Sequence, residues 1–443
     1  MVRLVLLLGA GLLWGCAGLP QDAGKAQSRA ILDTGQTRLG RAVAPEIAAR
    51  PGLSAFYPVG DGADAFLARV ALARAAERTL DVQYYIFHAD STGGALMGEL
   101  LAAADRGVRV RVLLDDLHAG PHEGALAALD LHPGIEVRLF NPFARRTARW
   151  LDFLTDFGRV NRRMHNKSMT ADSQASVVGG RNVGDEYFAG GAAVEFGDFD
   201  VVAFGPVVRE VSAEFDRYWN SGAAYPIAAL APSSADAAQT LRGRIAAHVE
   251  ALRGTPYAQA LAKGDLAAEL AARRLPLYWG SATVISDDPG KIRRPVDDPS
   301  AHAAPRLRAA LGDAREELLL VSPYFVPGSD GVAWLRELAA RGAKVRVLTN
   351  SYLANDVGPV HAGYSSYRED LLRAGVEIQE LKPGAELKAE AKPGGSSGSS
   401  LHAKTYMVDA RRLYVGSFNL DPRSVRLNTE MGIVIESEAL CAS

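Results

Sequence analysis

Two stretches of this chain carry the same chemically capable side chains. The first holds His165, Lys167, Asp172 and Asn182; the second holds His402, Lys404, Asp409 and Asn419. Equivalent residues are 237 positions apart, so the pattern H-x-K-x4-D-x6-G-x-x-N occurs twice in a single register. One H-x-K is common by chance, but a doubled set of this length is not. Lysine is a poor metal ligand and the carboxylates are not spaced like a two-metal set, so neither a metal nor another cofactor is implied. Lys167 and Lys404 suit an anion, most simply the oxygens of a phosphoryl group, and Asn182 and Asn419 can donate to the same oxygens. One histidine can attack phosphorus while a second protonates the leaving alcohol. A carboxylate behind each ring would fix its tautomer and raise its basicity. Asp198 and Glu430, each at or just before the start of a strand-like run, are the candidates. Asp172 and Asp409 sit further round and are expected to hold local structure or supply more distant charge.

These groups must be positioned by extended segments. Alternation puts His165, Lys167 and Met169 on one face of a strand, whereas a helix would split residues two apart. Apolar runs at 79–87, 108–114, 134–140 and 198–204 read as strands, with helical patterns between them, as in an α/β protein. The plan repeats at 317–321, 343–349 and 375–378, so the internal repeat extends beyond the doubled motif. The sequence predicts two similar lobes, each a mixed β-sheet flanked by helices, related by a pseudo-two-fold axis with the site at the seam. The first lobe spans 46–227, a helical connector and surface loop span 228–300, and the second lobe spans 301–443. Within the connector, 287–300 reads as a charged surface loop. The Gly- and Ser-rich stretch 392–400 reads as a mobile lip before His402. The helical pattern at 206–219 has no equivalent after Glu430, which predicts thinner cover on the second lobe and a frayed end around Cys441.

The chain has 443 residues, is 48% hydrophobic and carries a formal net charge of -2. That size suits two domains with large cores. The near-neutral balance argues against nucleic acid as the main partner, because non-specific binding rests on Lys and Arg at phosphates. A local basic run exists from Arg145 to Arg163, with Arg146, Arg149, Trp150, Arg159 and Arg162. It reads either as a solvated helix or as a cleft wall that meets anionic headgroups. Tyr84, Tyr85, Trp150, Tyr352 and Tyr364 read either as lipid contacts or as packing.

At the N-terminus Arg3 precedes an apolar run from Leu4 to Trp14, then Gly15 and Cys16. This short run behind a basic residue reads as a signal peptide over 1–16. Its ending resembles a bacterial lipoprotein signal, with Cys16 as the lipidated residue. Ala17 after it resembles the pattern of lipoproteins sent to an outer membrane. The expected location is therefore extracytoplasmic, anchored on the periplasmic face. Residues 17–45 are polar and read as a tether, with a short helix near Arg41 to Ala49.

Both copies of the motif resemble the HKD motif of the phospholipase D superfamily. The stretches Gly180 to Phe188 and Gly416 to Ser424, with Leu427-Asn428-Thr429-Glu430, resemble its bacterial cardiolipin synthase branch, in the form without N-terminal membrane helices. The resemblance implies metal-independent phosphatidyl transfer at a site built from the two HKD sets. His165 would be the nucleophile that forms a phosphohistidine, and His402 the acid and then the base. The substrates would be phospholipids at a membrane surface, with no obligate protein partner. Hydrolysis to phosphatidic acid, an extracytoplasmic nuclease, and a protein that only holds phospholipid remain open as alternatives.

Overall fold

The computed structural model describes residues 18–443, except 21–22, 192–193, 273, 356 and 383–398. The signal-peptide reading with Cys16, and most of the proposed lip at 392–400, lie outside the described residues.

The first half contributes strands β1 (Ser54–Val59), β2 (Thr79–Tyr84), β3 (Arg109–Asp115), β4 (Ile135–Phe140), β5 (Ser168–Ala171), β6 (Ala175–Gly179), β7 (Glu195–Gly197), β8 (Asp200–Phe204) and β9 (Ala224–Pro226). The second contributes β10 (Tyr278–Ser286), β11 (Glu317–Val321), β12 (Lys344–Asn350), β13 (Glu377–Leu381), β14 (Ser399–Leu401), β15 (Thr405–Val408), β16 (Arg412–Gly416) and β17 (Met431–Glu436). Strands β2, β3 and β4 are parallel, and their inward residues Leu80, Val82, Val110, Val112, Val137 and Leu139 are fully buried. Such continuous Val/Leu runs are what a sheet covered on both faces requires. Strands β11, β12 and β13 repeat this arrangement.

The two halves are fused more closely than two separate sheets. Strand β1 pairs antiparallel with β10, and the joined sheet has 15 strands in the order β13-β12-β11-β15-β16-β17-β10-β1-β8-β6-β5-β2-β3-β4-β9. The order reads alike outward from the β1–β10 junction, as a pseudo-two-fold repeat demands. In a flat sheet β6 and β16 would lie about 24 Å apart, yet they touch. The sheet therefore folds over at the junction, and the fold encloses Phe56, Val178, Val201, Val415, Ile433 and Ile435.

Three expectations need correction. Residues from Lys25 onward are not a free tether. The Ser28 carbonyl accepts from Arg111 and Asn220, the Ala26 carbonyl accepts from Arg138, and Trp219 Nε1 donates to Ser28 Oγ at 2.8 Å. Buried arginines need acceptors, and this strap supplies them before the helix Arg38–Ala48, whose N-cap is Thr37. The second lobe also begins earlier than residue 301, because β10 is one of its sheet strands. Finally, 287–292 is no surface loop. Asp287, Lys291 and Ile292 are buried, and Lys291 Nζ lies 3.1 Å from Asp287.

Helices at 235–252, 256–263 and 265–272 lie over the first half's helices Gly62–Ala75 and Ser91–Asp105. On the second half a cavity of about 590 Å³ opens between the helices Ala304–Leu311 and Gly328–Ala340 and the segment 418–426. Cys441 is not frayed. It ends a one-turn helix, Glu438–Cys441, capped by Ser437, with Leu440 buried beside it. Among the described residues no helix is long and apolar enough to cross a membrane.

Candidate active site

His165 and Lys167 precede β5, and Asp172 follows it; His402, Lys404 and Asp409 take the same places around β15. The strands thus carry the histidine and lysine at one end and the aspartate at the other. At about 3.3 Å per residue, the seven steps from His165 to Asp172 span roughly 20 Å. Asp172 instead accepts from the amides of Glu77, Arg78 and Thr79, and Asp409 from those of Arg315, Glu316 and Glu317. Both aspartates sit in left-handed turns, with φ of 53° and 51°. They pin each hairpin to the start of the neighbouring strand and stand apart from the histidines, so although the doubled motif groups them with the catalytic side chains, their place is structural.

The other members converge, and they do so crosswise. His165 Nδ1 lies 2.8 Å from Glu430 Oε2, and His402 Nδ1 lies 2.6 Å from Asp198 Oδ2. Each ring is therefore held by a carboxylate from the opposite half. The backbone enforces the crossing on both sides. The segment before His165 runs parallel to that before Glu430, with His165 N donating to Thr429 O and Thr429 N to Arg163 O. Across the pseudo-axis, β14 pairs parallel with β7, and His402 N donates to Gly197 O. With Nδ1 of each ring engaged, Nε2 is the nitrogen left for chemistry.

Burial lowers His165 to about 4 against the pull of Glu430, and lowers His402 to about 3 against that of Asp198. Lys404 further depresses His165, and Lys167 further depresses His402, so all four side chains share one electrostatic site. Lys167 is itself held well below its usual value, by burial first and also by Lys404. Burial thus favours the neutral form of each ring, the form that a nucleophile needs. Burial works to raise Asp198 and Glu430, but the adjoining histidines outweigh it and keep both carboxyls below the ordinary range.

Asn182 and Asn419 follow β6 and β16 and are buried. Asn182 Nδ2 donates to Tyr187 OH at 2.9 Å, while the side-chain oxygen of Asn419 has no hydrogen-bond partner among the described residues. Aromatic rings wall the histidines: Tyr85 stands edge-on to His165, and Tyr187 and Phe196 flank His402. Sequence reasoning missed several supports. Ser417 Oγ and Ser424 Oγ donate to the two oxygens of Glu430, and Asp287 accepts from the Glu430 amide. Asp115 accepts from the Met164 amide and pairs with buried Arg163. The strand-end position of Asp115 was a signal; Asp287 was hidden by its proline-rich, loop-like surroundings.

The basic run did not form a bare cationic wall. Arg145 pairs with Asp152, Arg146 and Arg149 pair with Asp116 and Glu123, and Arg159 pairs with Asp156. Of the aromatic candidates, Tyr84 and Tyr364 are buried, whereas Trp150 and Tyr352 are exposed.

Comparison with known proteins agrees with this geometry. The family described as "Cardiolipin synthase, PLD-like domain" matches residues 70–219 and 307–443. Cardiolipin synthase C of Escherichia coli is 46% identical over 411 residues, covering 91% of this chain and 86% of that protein. An uncharacterized protein of Helicobacter pylori (strain ATCC 700392 / 26695) is 32% identical, covering 96% of this chain and 84% of that one. The solved structure of phosphatidylserine synthase from Haemophilus influenzae shares the fold, with a TM-score of 0.59 at 14% identity, covering 92% of this chain and 88% of that chain.

Proposed function

The chain belongs to the cardiolipin synthase family of phospholipase D-like proteins, and on that footing we propose that it makes cardiolipin by phosphatidyl transfer from one phospholipid to another. The observation that carries the chemistry is the crossed pair of buried histidines, each held through Nδ1 by a carboxylate.

In this reading His165 Nε2 attacks the phosphorus of the donor phospholipid. The N–P bond forms as the P–O bond to the headgroup alcohol breaks, and His402, which enters this step protonated on Nε2 because the anionic phosphodiester favours the charged ring, gives that oxygen its proton. The acceptor is the hydroxyl of phosphatidylglycerol. His402 takes its proton as the new O–P bond forms and the N–P bond breaks, which restores both rings. Lys167 and Lys404 stabilise the charge on the non-bridging oxygens, with Asn182 and Asn419 beside them. Glu430 and Asp198 fix the tautomers and stabilise each ring when it becomes cationic. The same reading places the protein at a membrane surface, held on the extracytoplasmic side through a lipid on Cys16. The Leu13-Trp14-Gly15-Cys16 ending supports that placement.

The test is headgroup exchange by the purified protein beside a His165→Ala control. Vesicles would contain phosphatidylglycerol with and without a second phospholipid, in the presence of chelator, and lipids would be followed by mass spectrometry. Cardiolipin from the parent alone is the expected result. Phosphatidic acid alone would make water the acceptor, and cleavage of DNA with no lipid product would overturn the lipid assignment.

A further inference from the structure

The helix Arg149–Thr155 and the turn of helix Phe157–Val160 that follows it are amphipathic in the wrong sense for a soluble surface. Trp150, Phe153 and Leu154 fall at i, i+3 and i+4 of the first helix, a spacing that ordinarily marks a core-facing stripe, and Phe157 opens the next turn after Asp156 leaves helical geometry. Here that stripe faces outward: Leu154 is 73% exposed, Trp150 64%, Phe157 56% and Phe153 38%. Asp152, the acidic residue of the same helix, is buried. It accepts from the Arg145 amide and guanidinium, while Arg149 reaches inward to Asp116 and Glu123. The arginines that flank the stripe are thus spent on fixing the helix in place. The apolar face is held out rigidly, and a contiguous exposed stripe of this kind marks a surface that meets another phase or partner.

The stripe is also tied to the site. Asn141 Nδ2 donates to the carbonyls of Arg159 and Arg162, and Arg163 donates back to the Asn141 carbonyl. His165 comes two residues after Arg163. On the other half, Asn350 at the end of β12 bonds the backbone of Leu401 beside His402, and Tyr352, 68% exposed, stands two residues beyond it. An exposed apolar or aromatic group is therefore tied through backbone hydrogen bonds to the segment that carries each histidine.

We propose that the segment 149–157 docks into the headgroup region of a phospholipid bilayer and sets the mouth of the site against it. This deepens the phosphatidyl-transfer reading and rests on it for the choice of occupant. A substrate whose phosphate must reach a buried histidine while its acyl chains stay apolar needs a continuous path out of the bilayer. Tryptophan with neighbouring aliphatic and phenyl side chains is suited to the headgroup boundary, where such helices sink roughly 5–10 Å.

The experiment places an environment-sensitive fluorophore on Leu154→Cys, in the full chain carrying Cys16→Ser so that no lipid anchor contributes. Cys441 is a free, partly exposed cysteine and is replaced by serine in both labelled chains so that it does not compete for label. A second chain is labelled at Gln239→Cys, on the exposed face of the helix Ala235–Leu252. With phosphatidylglycerol vesicles bearing a quencher on the acyl chain, the label at 154 should be quenched and that at 239 should not. Equal responses at both sites, or none at 154 while the protein sediments with the vesicles, would overturn the proposal. So would a response at 154 that follows protein concentration without vesicles, since a second copy would then cover the stripe. As a companion, the Trp150→Ala, Leu154→Ser, Phe157→Ser triple variant should lose roughly tenfold or more in turnover on vesicles, through lost apolar burial. It should keep its turnover of short-chain phosphatidylglycerol held below its micelle concentration; equal loss on both substrates counts against docking. Quenching at 154 without any cardiolipin formed would leave docking standing and sink the phosphatidyl-transfer reading instead.

Discussion

His165 and His402 are related by the internal repeat, but their supports have diverged. Behind His165 stands a glutamate whose oxygens also accept from Ser417 and Ser424, on a backbone held by buried Asp287. Behind His402 stands a shorter aspartate, whose other oxygen accepts from its neighbouring Phe199 amide. Gly180 occupies the place of Ser417, and a Cβ there would come within 2.2 Å of Asp198 Oδ1. The shorter carboxylate thus fills the space that the serine takes in the other half. The lysines differ as well: Lys404 Nζ lies 2.9 Å from His402 Nδ1, while Lys167 lies over the Tyr85 ring. Burial works against protonation of both rings. A bound phosphodiester brings negative charge that acts the other way on both rings. The geometry of ring and carboxylate is the shared part, and the surroundings decide how the two rings differ.

The largest test of that difference is the loss of each ring. His165→Ala and His402→Ala should each lower kcat by about 10³-fold or more, as removal of a nucleophile or proton-transfer group does. Labelled phosphatidylglycerol and a denaturing gel separate their roles: labelled protein should be absent for His165→Ala and persist for His402→Ala, and the reverse pattern would exchange the roles. Next in size are the carboxylates. Asp198→Asn and Glu430→Gln should cost on the order of 10²-fold in kcat. Asp198→Asn should be the more damaging, because the two serine hydroxyls still position the side chain at 430.

The paired aspartates should move stability rather than chemistry. Asp172→Ala strips an acceptor from three amides in a buried turn and should cost about 2–3 kcal/mol. Asp409→Ala, whose amides lie nearer water, should cost about 1 kcal/mol. Thermal melts measure both, and activity per folded molecule in the cold should survive. The smallest effect is pH dependence. Both rings are lowered from 6.5 in the folded chain, so between 6.5 and about 4 the unfolded chain binds more protons. Stability should therefore be lost as pH falls through that window, by about 1 kcal/mol per histidine per pH unit. Melts from pH 7 to pH 5 should show a shallower slope once both rings are replaced by alanine.

Much of this was legible beforehand because the motif, the strand periodicity and the repeat are all local signals. His165 and Lys167 share a strand face in any fold that makes 165–171 extended. The crossing was not legible, since Asp198 and Glu430 could have served their own halves equally well by sequence. Deciding it required the parallel pairing of 164 with 429 and of 401 with 197, contacts between segments more than 200 residues apart. The buried role of 287–292 was masked for a related reason. Proline and charge mark a turn, but they do not say whether another half will close over it. The outward stripe at 150–157 was not legible within a run that read either as a solvated helix or as a cleft wall, because Arg146 and Arg149 find their partners at 116 and 123, far off in the sequence.

The crossed carboxylates also bear on heredity. A duplicated segment is usually free to drift once its twin covers the original task. Here a change at position 430 is felt at 165, and a change at 198 is felt at 402. Neither copy can be lost, exchanged or replaced by recombination without disarming the histidine of the other, so the two copies are bound to be inherited as one unit.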